Sequence, residues 1–214
     1  METGRRAAKC IIYVMLRSNI VEKTASFSTT PLCLDTLQNS TEAPRSPPIL
    51  GLARSRKVQN SSLANLNKKV GENDILYFLG DFCLSGTDRA RHYRDRIICR
   101  NIHVIEGNHD LALGEIKGAF SSWSQLAEIG VGGQRIVLCH YAMRVWHHSS
   151  RGVWNLYGHS HGKLPDDPAS LSLDIGVDSH DFQPWHFHEI RRVMEAKRRA
   201  RELHDGGKRG NHEH

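Results

Sequence analysis

Four times between Asp74 and Gly162 an apolar run ends in a loop that carries an Asp, an Asn or a His. Asp74-Ile75-Leu76-Tyr77-Phe78-Leu79 leads into Gly80-Asp81, and Ile102-His103-Val104-Ile105-Glu106 leads into Gly107-Asn108-His109-Asp110. Arg135-Ile136-Val137-Leu138-Cys139 leads into His140-Tyr141, and Val153-Trp154-Asn155-Leu156-Tyr157 into Gly158-His159-Ser160-His161-Gly162. Runs this short, rich in β-branched and aromatic residues, predict buried strands. Open α/β sheets place their chemistry in the loops at such strand ends. Gly stands beside three of the four loops, where it permits tight turns and close backbone approach. A single polar turn of this kind is ordinary turn chemistry; four in series are not.

The side chains on these loops are oxygen and nitrogen donors suited to zinc, manganese or iron. A carboxylate can bridge two cations, and paired metal ions about 3.5–4 Å apart clamp the oxygens of an in-line displacement at phosphorus. A His left outside the coordination shell can serve as general acid.

The ordered set of Gly80-Asp81, Gly107-Asn108-His109-Asp110, His140 and Gly158-His159-Ser160-His161 resembles the motifs of the calcineurin-like metallophosphoesterases. The surrounding words resemble the small bacterial and phage-type members of that superfamily: Leu79-Gly80-Asp81-Phe82, His140-Tyr141-Ala142-Met143-Arg144-Val145-Trp146 and Leu173-Asp174-Ile175-Gly176-Val177-Asp178. The resemblance runs from about Leu63 to about Arg192. It implies an α/β fold of two mixed sheets face to face with helices outside, a four-layer α-β-β-α sandwich. It also implies a phosphate-ester substrate and divalent ions of the manganese, iron, zinc or nickel type. Asp81 would bridge the metals, Asn108, His140 and His159 would complete the second site, and His161 would belong to the first. His109 would protonate the leaving oxygen, with Asp110 orienting or tuning it. Arg144, just past His140, is a candidate to hold a phosphate oxygen bidentately; a solvated surface arginine is the alternative. His147 and His148 are candidates to line the cleft, while His103, Asp174 and Asp178 read as structural residues.

One motif is missing. The family opens with a strand ending in Asp-x-His, which gives two ligands to the first metal. Here the first apolar run, Ile11–Leu16, ends in Arg17-Ser18-Asn19, and no Asp-x-His precedes Asp81. Arg17 falls at the Asp and Asn19 at the His. A guanidinium has no lone pair to offer a cation and repels it. One tight metal site is therefore expected, and a first site short of two ligands.

The remainder of the 214 residues sets the frame. A single domain over residues 1–204 is expected, with 17–62 poorly patterned and 205–214 a disordered tail. Helices are predicted around Leu63–Val70, over Asp88–Arg100 with Tyr93, Ile97 and Ile98 inward, near Ser122–Glu128, and over Glu189–Leu203 with Ile190, Val193 and Met194 inward. Hairpin-like strands are expected around His140 and His159, a turn at Gly132-Gly133, and a strand over Leu171–Ile175. The five cysteines form no Cys-x-x-Cys pair and are odd in number, which fits reduced thiols in a cytoplasmic protein rather than a disulfide scaffold. No apolar run approaches the roughly 20 residues of a membrane span. The run after Arg5-Arg6 and Lys9 lacks a small-residue cleavage site and reads as a strand, not a signal peptide.

The formal net charge is +6, much of it in Arg191, Arg192, Lys197, Arg198, Arg199 and Arg201. A charged, solvated helix face is the plain reading, with Glu195 and Arg199 at i,i+4 spacing. A nucleic-acid partner held by that helix is the other. Three functions follow in order: a metal-dependent phosphoesterase impaired at its first metal site, a non-catalytic descendant that binds a metal and a phosphate-bearing ligand, and a nucleic-acid-binding protein.

Overall fold

The sequence folds into a mixed α/β structure with two sheets and several helices, seen in a computed structural model that describes residues 10–13, 62–83, 86–177 and 180–209. The first sheet has the order β4-β3-β2-β1-β9. Its strands are β1 (Cys10–Tyr13), β2 (Ile75–Leu79), β3 (Asn101–Ile105), β4 (Ser122–Ser124) and β9 (Trp185–His186). β1 to β4 are parallel, and β9 closes the other edge antiparallel to β1. The second sheet runs β5 (Leu126–Val131), β6 (Gln134–Cys139), β7 (Trp154–Tyr157), β8 (Ser172–Asp174), parallel from β6 onward.

Burial of apolar side chains on both faces of the first sheet gives two cores. Leu76 and Phe78 of β2, with Ile102 and Val104 of β3, pack against α1 (residues 62–69) through Leu63 and Leu66, and against α2 (Thr87–Arg96) through Ala90 and Tyr93. The alternate residues Tyr77 and Leu79, with Ile105, join Ile136, Val137, Leu138, Trp154 and Leu156 of the second sheet and Phe187, Ile190 and Met194 of α3 (Phe187–Arg209). The period-2 alternation of strand side chains makes both cores available to one sheet. Because β2 and β3 are parallel, as are β6 and β7, the loops after each pair emerge at the same end of their sheet.

Several expectations change. The helix expected near Ser122–Glu128 is two strands: β5 pairs antiparallel with β6 from Leu126↔Cys139 to Val131↔Gln134. Gly132 and Gly133, with φ of 55° and 80°, form the turn between them, and positive φ at both central residues is what a two-residue hairpin needs. The hairpin is therefore β5–β6, while β6 and β7 are parallel and joined by a crossover. α2 stops at Arg96: Ile97 turns extended and buries, Ile98 points out at 47% exposure, and Arg94 donates to the carbonyl oxygen of Ala119. α3 continues past Leu203 through Asp205-Gly206-Gly207 to Arg209, so the first residues of the supposed tail are helical. Of the cysteines in apolar runs, Cys99 is buried and Cys139 half-buried. Lys197 does not share the solvated face; it is buried, and its ammonium reaches Asp166 and three backbone carbonyls. The i,i+4 pair on this helix is Arg191 with Glu195 rather than Glu195 with Arg199. Arg17, Asn19, Asp178 and most of 17–62 lie outside the described residues. No helix among the described residues is long and apolar enough to cross a membrane.

Candidate functional site

The loop after β2 turns sharply at Gly80 (φ 87°) and Asp81 (φ 56°). A Cβ at Gly80 would stand 2.2 Å from His140 Nδ1 and 2.8 Å from Gly107 Cα, and one at Gly107 would stand 2.5 Å from both the backbone nitrogen and Oδ1 of Asp81. The two glycines let the loops after β2, β3 and β6 close onto each other, an approach that no side chain permits.

Asp110 holds this junction. Its carboxylate accepts the backbone N–H groups of Asp81 (2.7 Å), Phe82 (2.7 Å) and Gly107 (2.9 Å). Burial pushes its carboxyl above the ordinary carboxylate range, against the pull of those donated bonds. The geometry thus gives Asp110 the task of pinning the Asp81 turn to the Gly107 loop. Asp81 in turn accepts the backbone N–H of His109 at 3.1 Å, while the His109 side chain lies exposed.

His140 is buried, and its Nδ1 lies 2.8 Å from the carbonyl oxygen of Leu79. A carbonyl only accepts, so Nδ1 carries the proton and Nε2 presents its lone pair. That nitrogen faces Asn108 Oδ1 at 3.2 Å, His159 Nδ1 at 3.2 Å and Asp81 Oδ1 at 3.7 Å. Ligating atoms of Asn108, His159 and Asp81, each from its own loop, thus lie within 3.7 Å of His140 Nε2. The set of one carboxylate, one amide oxygen and two imidazoles suits manganese, iron, zinc or nickel. Among the described residues no group of three or more His, Cys, Asp or Glu side chains stands placed to hold a metal ion; the distances of Asp81 and His159 are to His140 Nε2.

His159 (φ 59°) and His161 (φ 51°), like Asp81, hold left-handed backbone. This conformation costs about 1–3 kcal/mol per non-glycine residue and gathers at functional sites. The Nε2 of His161 is buried, and Asp174 braces its loop by accepting the Gly162 N–H at 3.1 Å.

The remaining candidates separate. Arg144 is exposed in the crossover after His140. His147 is turned to Glu128 of β5, with Nδ1 2.6 Å from the carboxylate, and His148 lines a different cavity described below. His103 stacks on Tyr77 and bonds Ser122, a structural role. Two contributors escape the sequence reading. Asn155, fully buried in β7, accepts the Met143 N–H at 3.4 Å and donates to Val137 O, tying down the chain after His140. Tyr141 lays its ring 4.7 Å from that of His159. The one signal for Asn155 was an amide inside an otherwise apolar strand.

No family model matches the sequence. Over 156 residues the chain is 26% identical to the uncharacterized protein MJ1445 of Methanocaldococcus jannaschii, a match that takes in 70% of this chain and 82% of that one. The fold is similar to the crystal structure of AQ665, a protein of unknown function from Aquifex aeolicus, at a TM-score of 0.54 and 17% identity over 86% of this chain and 100% of that one.

Proposed function

We propose that this chain is a calcineurin-like metallophosphoesterase, a metal-dependent hydrolase of phosphate esters impaired at its first metal site. The observation that carries the reading is the aim of His140: with Nδ1 committed to Leu79 O, its lone pair meets Asn108, His159 and Asp81. The four-layer sandwich is part of the same proposal. It is supported by one core between the first sheet and α1 and α2, and a second that reaches from that sheet's other face into the second sheet and α3.

Asp81, Asn108, His140 and His159 would hold one divalent cation, and Asp81 with His161 would contribute to another. When bound, the cation supplies Lewis-acid stabilisation of charge developing on the phosphoryl oxygens. The chain's own residues do the rest. His109, exposed beside the cluster, donates a proton to the leaving oxygen. Arg144 binds a phosphate oxygen, and Asp110 keeps Asp81 and the His109 loop in register through backbone N–H groups. The Leu79 carbonyl fixes the tautomer and angle of His140.

Residues 17 and 19 lie outside the described residues, so the damaged first site rests on sequence. A non-catalytic, metal- and phosphate-ligand-binding descendant is the second reading, favoured by the lack of any Asp-x-His before Asp81. Metal analysis with a phosphodiester assay tests both. Purified protein should hold about one ion tightly, as one intact ligand set allows. Arg17→Asp with Asn19→His should raise metal content and hydrolysis together, and more than either single change. Two tightly held ions in the native protein, or none in excess manganese, would overturn the proposal. Repair that adds an ion but no turnover would point to the second reading.

A further inference from the structure

β6 and β7 are parallel, so their far ends also lie together, opposite the loops of His140 and His159. There the β5–β6 turn, the chain before β7 and one face of α3 surround a cavity of about 290 Å³. Arg135 comes from the start of β6, His148 and Arg151 from the crossover, and Arg198 from α3. β6 is six residues long, which at about 3.3 Å per residue puts the cavity roughly 20 Å from the proposed metal site.

The turn that presents these side chains is tightly built. His148 adopts φ 56° and Gly152 φ 84°, and the Arg151 and Val153 N–H groups both donate to the His148 carbonyl. Gln134 Nε2 donates to Gly152 O at 3.0 Å and ties the turn to β6. The local charge is positive. The nearby carboxylate, Glu128, is shared between Arg135 (3.0 Å) and His147 (2.6 Å), and on α3 Glu195 is engaged by Arg191. The imidazole of His148 is held below its ordinary value by burial and then by His147, Arg151 and Arg135, with Glu128 pulling the other way.

We infer that this cavity binds a phosphate group, held by the guanidinium groups of Arg135, Arg151 and Arg198. Arg135 gives Nη2 to Glu128 and keeps its other donors, and these with the planar forks of Arg151 and Arg198, from three separate elements, suit an oxyanion with several acceptor oxygens better than a carboxylate, which one fork satisfies. The phosphate can belong to a small phosphorylated ligand or to a nucleic-acid backbone; the chemistry of recognition is the same.

Calorimetric titration with inorganic pyrophosphate tests the site, because the proposed metal site can be removed from the measurement by His140→Ala. With divalent metal removed by chelation, pyrophosphate should bind the native chain and the His140→Ala variant at one site with similar affinity. Arg151→Ala and Arg198→Ala should each weaken it by roughly 10- to 100-fold, the range for a hydrogen bond to a charged group. Arg198→Lys, which keeps charge but not the fork, should fall between. A single-stranded 12-mer of thymidine then separates the sources. Competition with pyrophosphate, with a steep salt dependence, identifies a nucleic-acid backbone, and no competition identifies a small ligand. Unchanged binding in the Arg151→Ala, Arg198→Ala double variant, loss of binding in His140→Ala, or no binding of either probe to the native chain would each overturn the inference.

Discussion

Two polar knots sit in the interior of this protein, and they are built on opposite principles. At one, Lys197 is 6% exposed and its ammonium meets the Asp166 carboxylate and the carbonyl oxygens of Asp167 (3.1 Å), Ser170 (3.4 Å) and Ser172 (2.6 Å). The chain brings oxygens and also the cation that satisfies them, as a buried lysine requires. At the other, the lone pair of His140 faces the amide oxygen of Asn108, an imidazole nitrogen and a carboxylate. There the chain brings ligands from four loops and spends glycines and left-handed backbone to gather them. The first knot locks α3 to the loop before β8. The second, on the proposed function, is tuned to a partner from solution, so its behaviour should depend on metal where the first does not.

The largest expected effect divides chemistry from binding within the second knot. His109→Ala should lower metal-dependent phosphodiester hydrolysis by about 10²- to 10⁴-fold, the usual contribution of a general acid. The ion should stay, because His109 is not among the proposed ligands. Parallel metal analysis checks this, and an ion lost along with the activity would remove His109 from its assigned role.

Lys197→Met breaks the first knot. It leaves Asp166 and three backbone acceptors without their cation, and should cost about 3 kcal/mol in urea unfolding. Asp166 is 55% exposed and can turn to water, which keeps the figure below that of a fully enclosed pair. Added manganese should stabilise native and variant proteins by equal amounts, by mass action at the other knot. A metal response lost in Lys197→Met would show that the two regions are coupled.

The two knots also differ in how far they could be read from sequence. The residues of the second announce themselves locally: each follows its own apolar run, and Gly80 and Gly107 mark the close approaches. Lys197 gives no such signal. Its acceptors lie 25 to 31 residues away in sequence, and on the helix it looks like its exposed neighbours. The same reason explains the stretch from Ser122 to Val131. Its side chains carry no decisive period, and strand character comes from pairing, of Ser122–Ser124 with β3 and of Leu126–Val131 with β6 across the Gly132-Gly133 turn. Cys10–Tyr13 is a strand, as an apolar run there suggests, and lies between β2 and the edge strand β9, but the Arg17 and Asn19 that follow lie outside the described residues.

Gly80→Ala sharpens the comparison at lower amplitude. Its Cβ would meet the ring of His140, in a backbone conformation that alanine resists. Pushing that ring off the Leu79 carbonyl should cost about 2 kcal/mol of stability. It should also weaken metal binding, since Nε2 loses its aim. Equal metal affinity in Gly80→Ala would mean that the cluster tolerates a moved His140.

Glu189 is a third arrangement, intermediate between the knots and the weakest. It stands in the first turn of α3 and accepts the His186 N–H at 2.7 Å, with Lys69 3.6 Å away. A carboxylate so placed satisfies one of the open donors at a helix start and suits the positive end of the helix dipole. Burial acts to raise its carboxyl, but the His186 bond, Lys69, His180 and His188 together hold it below the ordinary value of 4.5. The folded state therefore binds the proton more weakly than the unfolded chain does. Stability from this group is fully present above 4.5 and is lost as pH falls through the depressed folded value. Glu189→Gln keeps the acceptor oxygen and removes the charge, so it should cost about 0.5–1 kcal/mol at neutral pH. The gap between variant and native should close in urea titrations as pH drops below 4.5. A gap that persists in acid would assign Glu189 to packing rather than charge, and so place this helix start with neither knot.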